Sequence, residues 1–379
     1  MGITVQNYEV KVILFKTMVL KTKRDQTMPE LKRRRWKYLS LIVMLFLVSP
    51  ACGQAPVIRQ EPVTWQDPSK HQVQFVTVEE GVRLEVLDWG GAGRPVVLLA
   101  GSGNTAHVFD DFAPKLSQFC HVYGVTRRGF GASSQPASGY DDQRLADDVL
   151  AVIDGLHILS PVLIGHSMAG QEMTTLGRQH SDRLSGLVYL DAHGDPGDDP
   201  GADPAWLELQ KKLPAGFRNS VRPPYTGETR TFAGYRASFL QSHGFTFPES
   251  EFRNGFETNP DGTRGRYKSS DIPPRIGRLQ IPKNFTHIRV PVLALFEFPR
   301  TIEDYPRAGD YVPANAEERA AIAAFLAATK TIADRWSAKL VKAVPDTKLI
   351  DLPGAGHFVF LTRETEVLKE LQKFVASLR

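Results

Sequence analysis

Ser167 stands in the run PVLIGHSMAGQ (161–171), between Gly165-His166 and Met168-Ala169-Gly170. A serine hydroxyl is a poor nucleophile at neutral pH unless a base lies within hydrogen-bond reach. The best candidate for that base is His357, in DLPGAGHFVF (351–360). There Gly354 and Gly356 free the loop to turn an imidazole back, and Phe358 and Phe360 anchor the chain beyond it. Attack on a carbonyl also requires two N–H donors for the oxyanion. One is the amide of Met168, directly after the serine. The other is assigned to the amide of Ser102 in Gly101-Ser102-Gly103-Asn104, a run that an ordinary glycine turn would also explain.

These residues need elements that bring them to one place. HQVQFVTV and VRLEVLDWG alternate in polarity and are joined by Glu79-Glu80-Gly81, which predicts a hairpin. Six further apolar runs come after it: PVVLLAG (95–101), HVYGVTRRG (121–129), PVLIG (161–165), LSGLVYLDA (184–192), PVLALFEF (291–298) and DTKLIDLPG (346–354). Helical patterns separate most of them: HVFDDFAPKLSQF, RLADDVLAVIDGLHI, AGQEMTTLGRQHSDR and RETEVLKELQKFVASL. Apolar strands alternating with amphipathic helices imply an α/β fold, a mainly parallel sheet with helices on both faces. Ligands of such sheets bind beyond the carboxyl ends of the strands, where Ser102, Ser167 and His357 all fall. A serine on a strand-to-helix elbow projects its hydroxyl above the sheet, and its neighbours must be small to avoid a clash.

Charge and cysteine usage narrow the function. The net charge of +4 is concentrated at the front: residues 1–37 hold ten Lys/Arg and three Asp/Glu, a net +7, leaving 4 − 7 = −3 for the rest. That remainder has no electrostatic footprint for nucleic acid. Lys32-Arg33-Arg34-Arg35 precedes an apolar run at 39–48, and small residues surround Cys52 after it. This is the layout of a secretory signal, and the run is well short of the ~20 residues of a stable membrane span. Export to the periplasm or medium is expected, with Met28 as the better start, since residues 1–27 fit no part of such a signal. A lipid anchor at Cys52 is the less favoured alternative. Cys52 and Cys120 are too far apart in sequence for a metal-ligand motif, and the histidines form neither HExxH nor HxH, so neither metal nor cofactor is expected.

Several stretches together resemble the α/β-hydrolase superfamily over about residues 72–379. LDWGGAGRPVVLLAG is similar to its second and third strands with the oxyanion loop, and TRRGFGASS to its R-G-x-G-x-S turn. RLADDVLAVIDGLHILSPVLIGHSMAG resembles the central helix and nucleophile elbow, and PGAGHF the histidine loop. Two departures stand out. Ala169 replaces the last glycine of G-x-S-x-G, and Ala100-Gly101 replaces the usual His-Gly of the oxyanion loop. The resemblance also implies a carboxylate that orients the histidine, normally just after the strand written here PVLALFEF. That position falls near Pro299 or Arg300 and looks vacated. A dehalogenase-like subset places the acid one strand earlier, which favours Asp191 at the end of LVYLDA; Glu297, Glu303 and Asp304 remain alternatives.

Along the chain, residues 1–52 are expected to be extension and signal, and 53–70 a linker. Residues 71–192 and 290–379 are the α/β-hydrolase core, and 193–289 a cap insertion. The insertion's aromatics (Trp206, Phe217, Tyr225, Phe232, Tyr235, Phe239) form mostly its own core, with a few lining an apolar pocket. A second insertion, NAEERAAIAAFLAATKTIADRWSAKLVKAV, reads as one or two helices beside it. The expected function is an exported serine hydrolase acting on an uncharged, apolar, small-molecule ester. Amide or carbon–carbon bond hydrolysis by the same residues is the alternative, as is a catalytically silent binding protein. Epoxide hydrolase or dehalogenase chemistry is disfavoured, because that resemblance would require an aspartate at the elbow.

Overall fold

The computed structural model describes residues 65–192, 203–220, 229–297 and 311–378. Ten strands run in chain order: β1 (Gln72–Glu79), β2 (Val82–Gly90), β3 (Arg94–Leu99), β4 (Cys120–Val125), β5 (Val162–His166), β6 (Gly186–Leu190), β7 (Phe256–Thr258), β8 (Arg264–Tyr267), β9 (Val292–Phe296) and β10 (Lys348–Asp351). Eight of them form one sheet in the order β1-β2-β4-β3-β5-β6-β9-β10. The β1–β2 and β2–β4 pairs are antiparallel, and every pair from β4 through β3 to β10 is parallel.

Both faces of the parallel part are covered, so its strands are apolar throughout rather than alternating. Val96 and Leu98 of β3 enter one cluster with Phe109, Phe360, Leu371 and Phe374. Their neighbours Val97 and Leu99 enter the other, with Val149 and Val152 of α1 (Asp142–Gly155), Met173 and Leu176 of α2 (Ala169–Gln179), and Trp336. This division reflects the two-residue period of a strand. The registers pair Leu99 with Gly165, His166 with Leu190, and Leu190 with Leu295, so the ends of β3, β5, β6 and β9 lie level.

The insertion after β6 supplies α3 (Pro204–Lys212), α4 (Phe232–His243), α5 (Glu249–Gly255), the β7–β8 hairpin and α6 (Ile272–Leu279). Phe232, Tyr235 and Phe239 are buried together with Phe252 and Phe256, but in one cluster with Val96 and Leu98 of β3 and Val162 and Ile164 of β5, not in a core of the insertion's own. Phe217 packs instead with Leu213, Ile322 and Leu326. Tyr225 lies outside the described residues, as do the signal and linker segments through residue 64. The second insertion is one helix, α7 (Ala316–Ala343), capped by Asn315, whose side chain accepts from Glu318 N–H. Its Phe325 meets Trp206 and Phe217. The last helix is α8 (Glu364–Ser377). No helix among the described residues is long and apolar enough to cross a membrane.

Two differences from the expected elements have local causes. HVFDDFAPKLSQF forms two short turns, Ala106–Phe109 and Ala113–Leu116, rather than a helix. Pro114 cannot donate to the preceding turn, and the Asp110 carboxylate bonds elsewhere. The β7–β8 hairpin was not expected, although Asp261-Gly262 is a hairpin turn signal and Gly262 has φ +79°.

Candidate active site

Ser167 comes directly after the last residue of β5 and has φ 55°, a left-handed conformation that costs a non-glycine residue about 1–3 kcal/mol. Its N–H donates to Leu190 O (3.1 Å), continuing the sheet by one more bond. The turn leaves little room beneath the serine. A methyl group on Gly165 would stand 3.2 Å from both Ala169 Cβ and Met173 Sδ. One methyl, that of Ala169, fits there; a second on residue 165 would force Ala169 or Met173 to give by a few tenths of an ångström.

His357 lies in the loop between β10 and α8, where Gly354 (φ 70°) and Gly356 (φ 75°) adopt the left-handed backbone that turns the loop. Its Nε2 is 2.8 Å from Ser167 Oγ, and its Nδ1 is 2.6 Å from Asp191 Oδ2. With the proton on Nδ1 facing the carboxylate, Nε2 is free to accept from the serine hydroxyl. Asp191 is buried and sits one residue beyond β6, also at positive φ (44°). Its N–H donates to Leu295 O (2.8 Å), and its Oδ1 accepts from Glu297 N–H (3.1 Å). Among the described residues, Asp191 is the candidate carboxylate bonded to His357. Glu297 touches Asp191 through its backbone, and Glu303 and Asp304 lie outside the described residues.

Met168 follows Ser167 directly, and Ser102 follows Gly101, whose backbone lies against the elbow. Met168 caps the N-terminus of α2, and the Ser102 loop packs directly on the elbow: a Cβ on Gly101 would stand 3.1 Å from Ser167 Cβ. The loop is braced from inside the core. Arg127 donates to Ala100 O (2.8 Å) while its guanidinium grips Glu172 through two bonds of 2.7 and 2.8 Å, all three groups buried.

Sequence reasoning left three contributors unassigned. His166 is fully enclosed behind Ser167, and burial together with the nearby His357 lowers its pKa to about 3. It is therefore neutral, and its Nε2–H donates to His357 O (2.9 Å), tethering the histidine loop. Glu251 of α5 reaches the Ser102 loop from the insertion. Its carboxylate accepts from Asn104 Nδ2 (2.8 Å), Thr105 N–H (3.1 Å) and Thr105 Oγ1 (2.5 Å). Tyr267 of β8 donates its hydroxyl to Gly103 O (2.9 Å). No spacing in the sequence links residues about 150 positions apart.

Burial raises Glu251 to about 7 against the opposing hydrogen bonds from Thr105 and Asn104; His107 and Tyr267 are the other titratable groups that face it. A carboxyl whose folded pKa is raised is favoured in its protonated form. Its contribution to stability is complete below the unfolded value of about 4.5 and is lost as pH climbs through about 7. Glu251→Gln, which imitates the protonated form, should therefore melt higher than wild type at pH 8, with the gap closing towards pH 5. A difference in Tm that is flat across this range refutes the assignment.

Asp67, His71, His107 and Asp110 bring four potential metal-ligand atoms, two imidazole and two carboxylate, within 4.8 Å of one another, a cluster with no motif in the sequence. The bonding pattern is that of a closed ion-pair network. Asp110 Oδ1 meets His71 Nδ1 (2.8 Å) and Trp89 Nε1 (3.2 Å), and Oδ2 meets His107 Nδ1 (3.0 Å) and Ser250 Oγ (2.6 Å). All four acceptor sites of the carboxylate are thereby used. Burial alone would lower His107, but Asp110 and Glu85 outweigh it and raise the pKa to about 10, which keeps the imidazole charged.

Comparisons with known proteins bear on the family and the fold. The model of the alpha/beta hydrolase family matches residues 96–370. The AB hydrolase superfamily protein YisY of Bacillus subtilis is 27% identical over 253 residues, 63% of this chain and 89% of that protein. A 2-hydroxymuconate semialdehyde hydrolase from a Pseudomonas species is 27% identical over 183 residues, 45% of this chain and 64% of its own length. For several other relatives the match spans less than half their length, 37% and 35% in two cases. Among solved structures, E-2-(acetamidomethylene)succinate hydrolase superposes with a TM-score of 0.56 at 18% identity, covering 81% of this chain and all of that one.

Proposed function

Because this chain belongs to the alpha/beta hydrolase family, we propose that it is an exported serine hydrolase that cleaves an uncharged, apolar carboxylic ester. The observation that carries this reading is the unbroken Asp191–His357–Ser167 chain of hydrogen bonds, 2.6 and 2.8 Å, ending on a serine held at positive φ. Ser167 Oγ attacks the ester carbonyl while His357 Nε2 takes its proton. Asp191 holds the imidazole in the productive tautomer and stabilises the imidazolium. The amides of Ser102 and Met168 receive the oxyanion. On collapse, the carbon–oxygen bond breaks and His357 returns the proton to the departing alcohol. Water, activated by the same histidine, then releases the acid from the acyl-enzyme.

An apolar substrate is supported by the surroundings of the histidine. Phe358, next to His357, packs against Phe245 and Phe247 of the insertion, with ring centroids 5.3 and 4.9 Å apart. This aromatic wall offers no charge partner and favours apolar acyl or alcohol groups. Carbon–carbon bond hydrolysis by the same residues is the second reading, prompted by the relative named 2-hydroxymuconate semialdehyde hydrolase.

One experiment tests the chemistry and the export together. The protein is expressed from the full reading frame, treated with a fluorophosphonate probe, and weighed intact. The expected product carries one phosphonate on Ser167 and begins near residues 52–56. Folded protein without label points to a silent binding protein and sinks the hydrolase reading. A terminus at Met1 or Met28 sinks export, and an added lipid mass on Cys52 means an anchored form.

A further inference from the structure

We infer that Glu251 and Tyr267, both on the insertion, are positioning residues that hold the Ser102 oxyanion loop in its working geometry. The inference rests on the esterase reading above and concerns how that site is kept in register. The loop between β3 and Ala106 is short of internal support. Within residues 100–105 its one backbone bond, from Asn104 N–H to Gly101 O, is long at 3.4 Å; Thr105 O accepts a second from Val108 N–H beyond the loop (3.3 Å), and Gly103 sits at φ +83°. Its supports come from outside. On the core side Arg127 holds Ala100 O (2.8 Å). On the insertion side Tyr267 holds Gly103 O (2.9 Å), and Glu251 takes both the Asn104 side chain and the Thr105 N–H and hydroxyl. The Ser102 amide lies between these two anchor points.

The insertion-side anchors are themselves immobilised. Tyr267 packs edge-on against Phe256 (5.4 Å), and Ser250, the neighbour of Glu251, donates to the saturated Asp110 carboxylate (2.6 Å). Glu251 is buried and spends its carboxylate on the loop, so it acts through Ser102 rather than on substrate. Oxyanion donors work only within a few tenths of an ångström of their place, because the charge they stabilise exists only in the transition state. Loosening the anchors should thus weaken transition-state binding and leave ground-state binding alone.

The test compares Tyr267→Phe, Glu251→Ala and Glu251→Gln using an apolar p-nitrophenyl ester and a trifluoromethyl ketone, whose serine adduct carries the oxyanion. Rates are normalised to active sites titrated by the fluorophosphonate. Tyr267→Phe and Glu251→Ala are expected to lower kcat by about tenfold to a hundredfold, less than outright loss of a donor. KM should stay within about threefold, and ketone affinity should fall in step with kcat/KM. Glu251→Gln keeps an acceptor for Thr105 N–H and should recover most of the loss. Unchanged kcat per titrated site in Tyr267→Phe overturns the inference, as does a rise in KM alone. Should Glu251→Ala fail to fold, Tyr267→Phe, which removes one hydroxyl, decides the matter. A wild type that neither labels nor hydrolyses the ester sinks the parent reading, an outcome distinct from active wild type with active variants.

Discussion

Ser167→Ala is expected to lower ester turnover by about a thousandfold or more, and His357→Ala to do the same, with the double variant falling little further. The two side chains perform one proton-coupled step. Without the hydroxyl there is nothing to acylate; without Nε2 at 2.8 Å nothing accepts the proton as the carbon–oxygen bond forms. The residual rate of either variant comes from binding and from the oxyanion donors, which both leave in place. Steady-state turnover of a p-nitrophenyl ester, with fluorophosphonate labelling alongside, measures it. Multiplicative losses in the double variant would show that the two act independently, and substantial turnover by Ser167→Ala would end the mechanism.

Asp191→Asn should cost at least about a hundredfold in turnover while leaving the fold intact. Asparagine is nearly isosteric and retains an oxygen for the Glu297 N–H, so the local bonding survives. It cannot stabilise an imidazolium, and its amide N–H₂ facing Nδ1 imposes the tautomer that puts the proton on Nε2. Such a change costs about ten-thousandfold in a protease triad. Glu297→Gln should cost less than about tenfold, because Glu297 supports Asp191 through its backbone N–H, which glutamine keeps. Asp304→Asn should be similarly mild. A near-silent Asp191→Asn beside a crippling Glu297→Gln or Asp304→Asn would move the acid to the segment after β9. Three silent variants with Ser167 still labelling would mean a serine–histidine dyad.

Ser167 and His357 were readable from sequence because each carries a local backbone requirement. The elbow needs small residues around one serine, and the histidine loop needs glycines at positive φ. The sheet was equally readable, since strands buried on both faces leave uninterrupted apolar runs such as VVLL and LVYL. Asp191 was harder. Aspartate at a strand end has no local signature separating an orienting acid from a cap, and it is the bond from His357 Nδ1 to Asp191 Oδ2, formed between residues 166 positions apart, that marks Asp191 as the orienting acid.

By itself, then, the sequence determined the α/β layering, the strand that carries the nucleophile, and the loop that carries its base, because these are written in periodicity and in glycine placement within a few residues. Only the tertiary structure decided that Asp191 meets His357, that His166 tethers the histidine loop, and that Glu251 and Tyr267 reach Gly103, Asn104 and Thr105. It also gathered His71 and His107 around the Asp110 carboxylate. Hydrogen bonds between side chains distant in sequence leave no period and no turn signal in the chain, so their partners are chosen by how the sheet and the insertion pack.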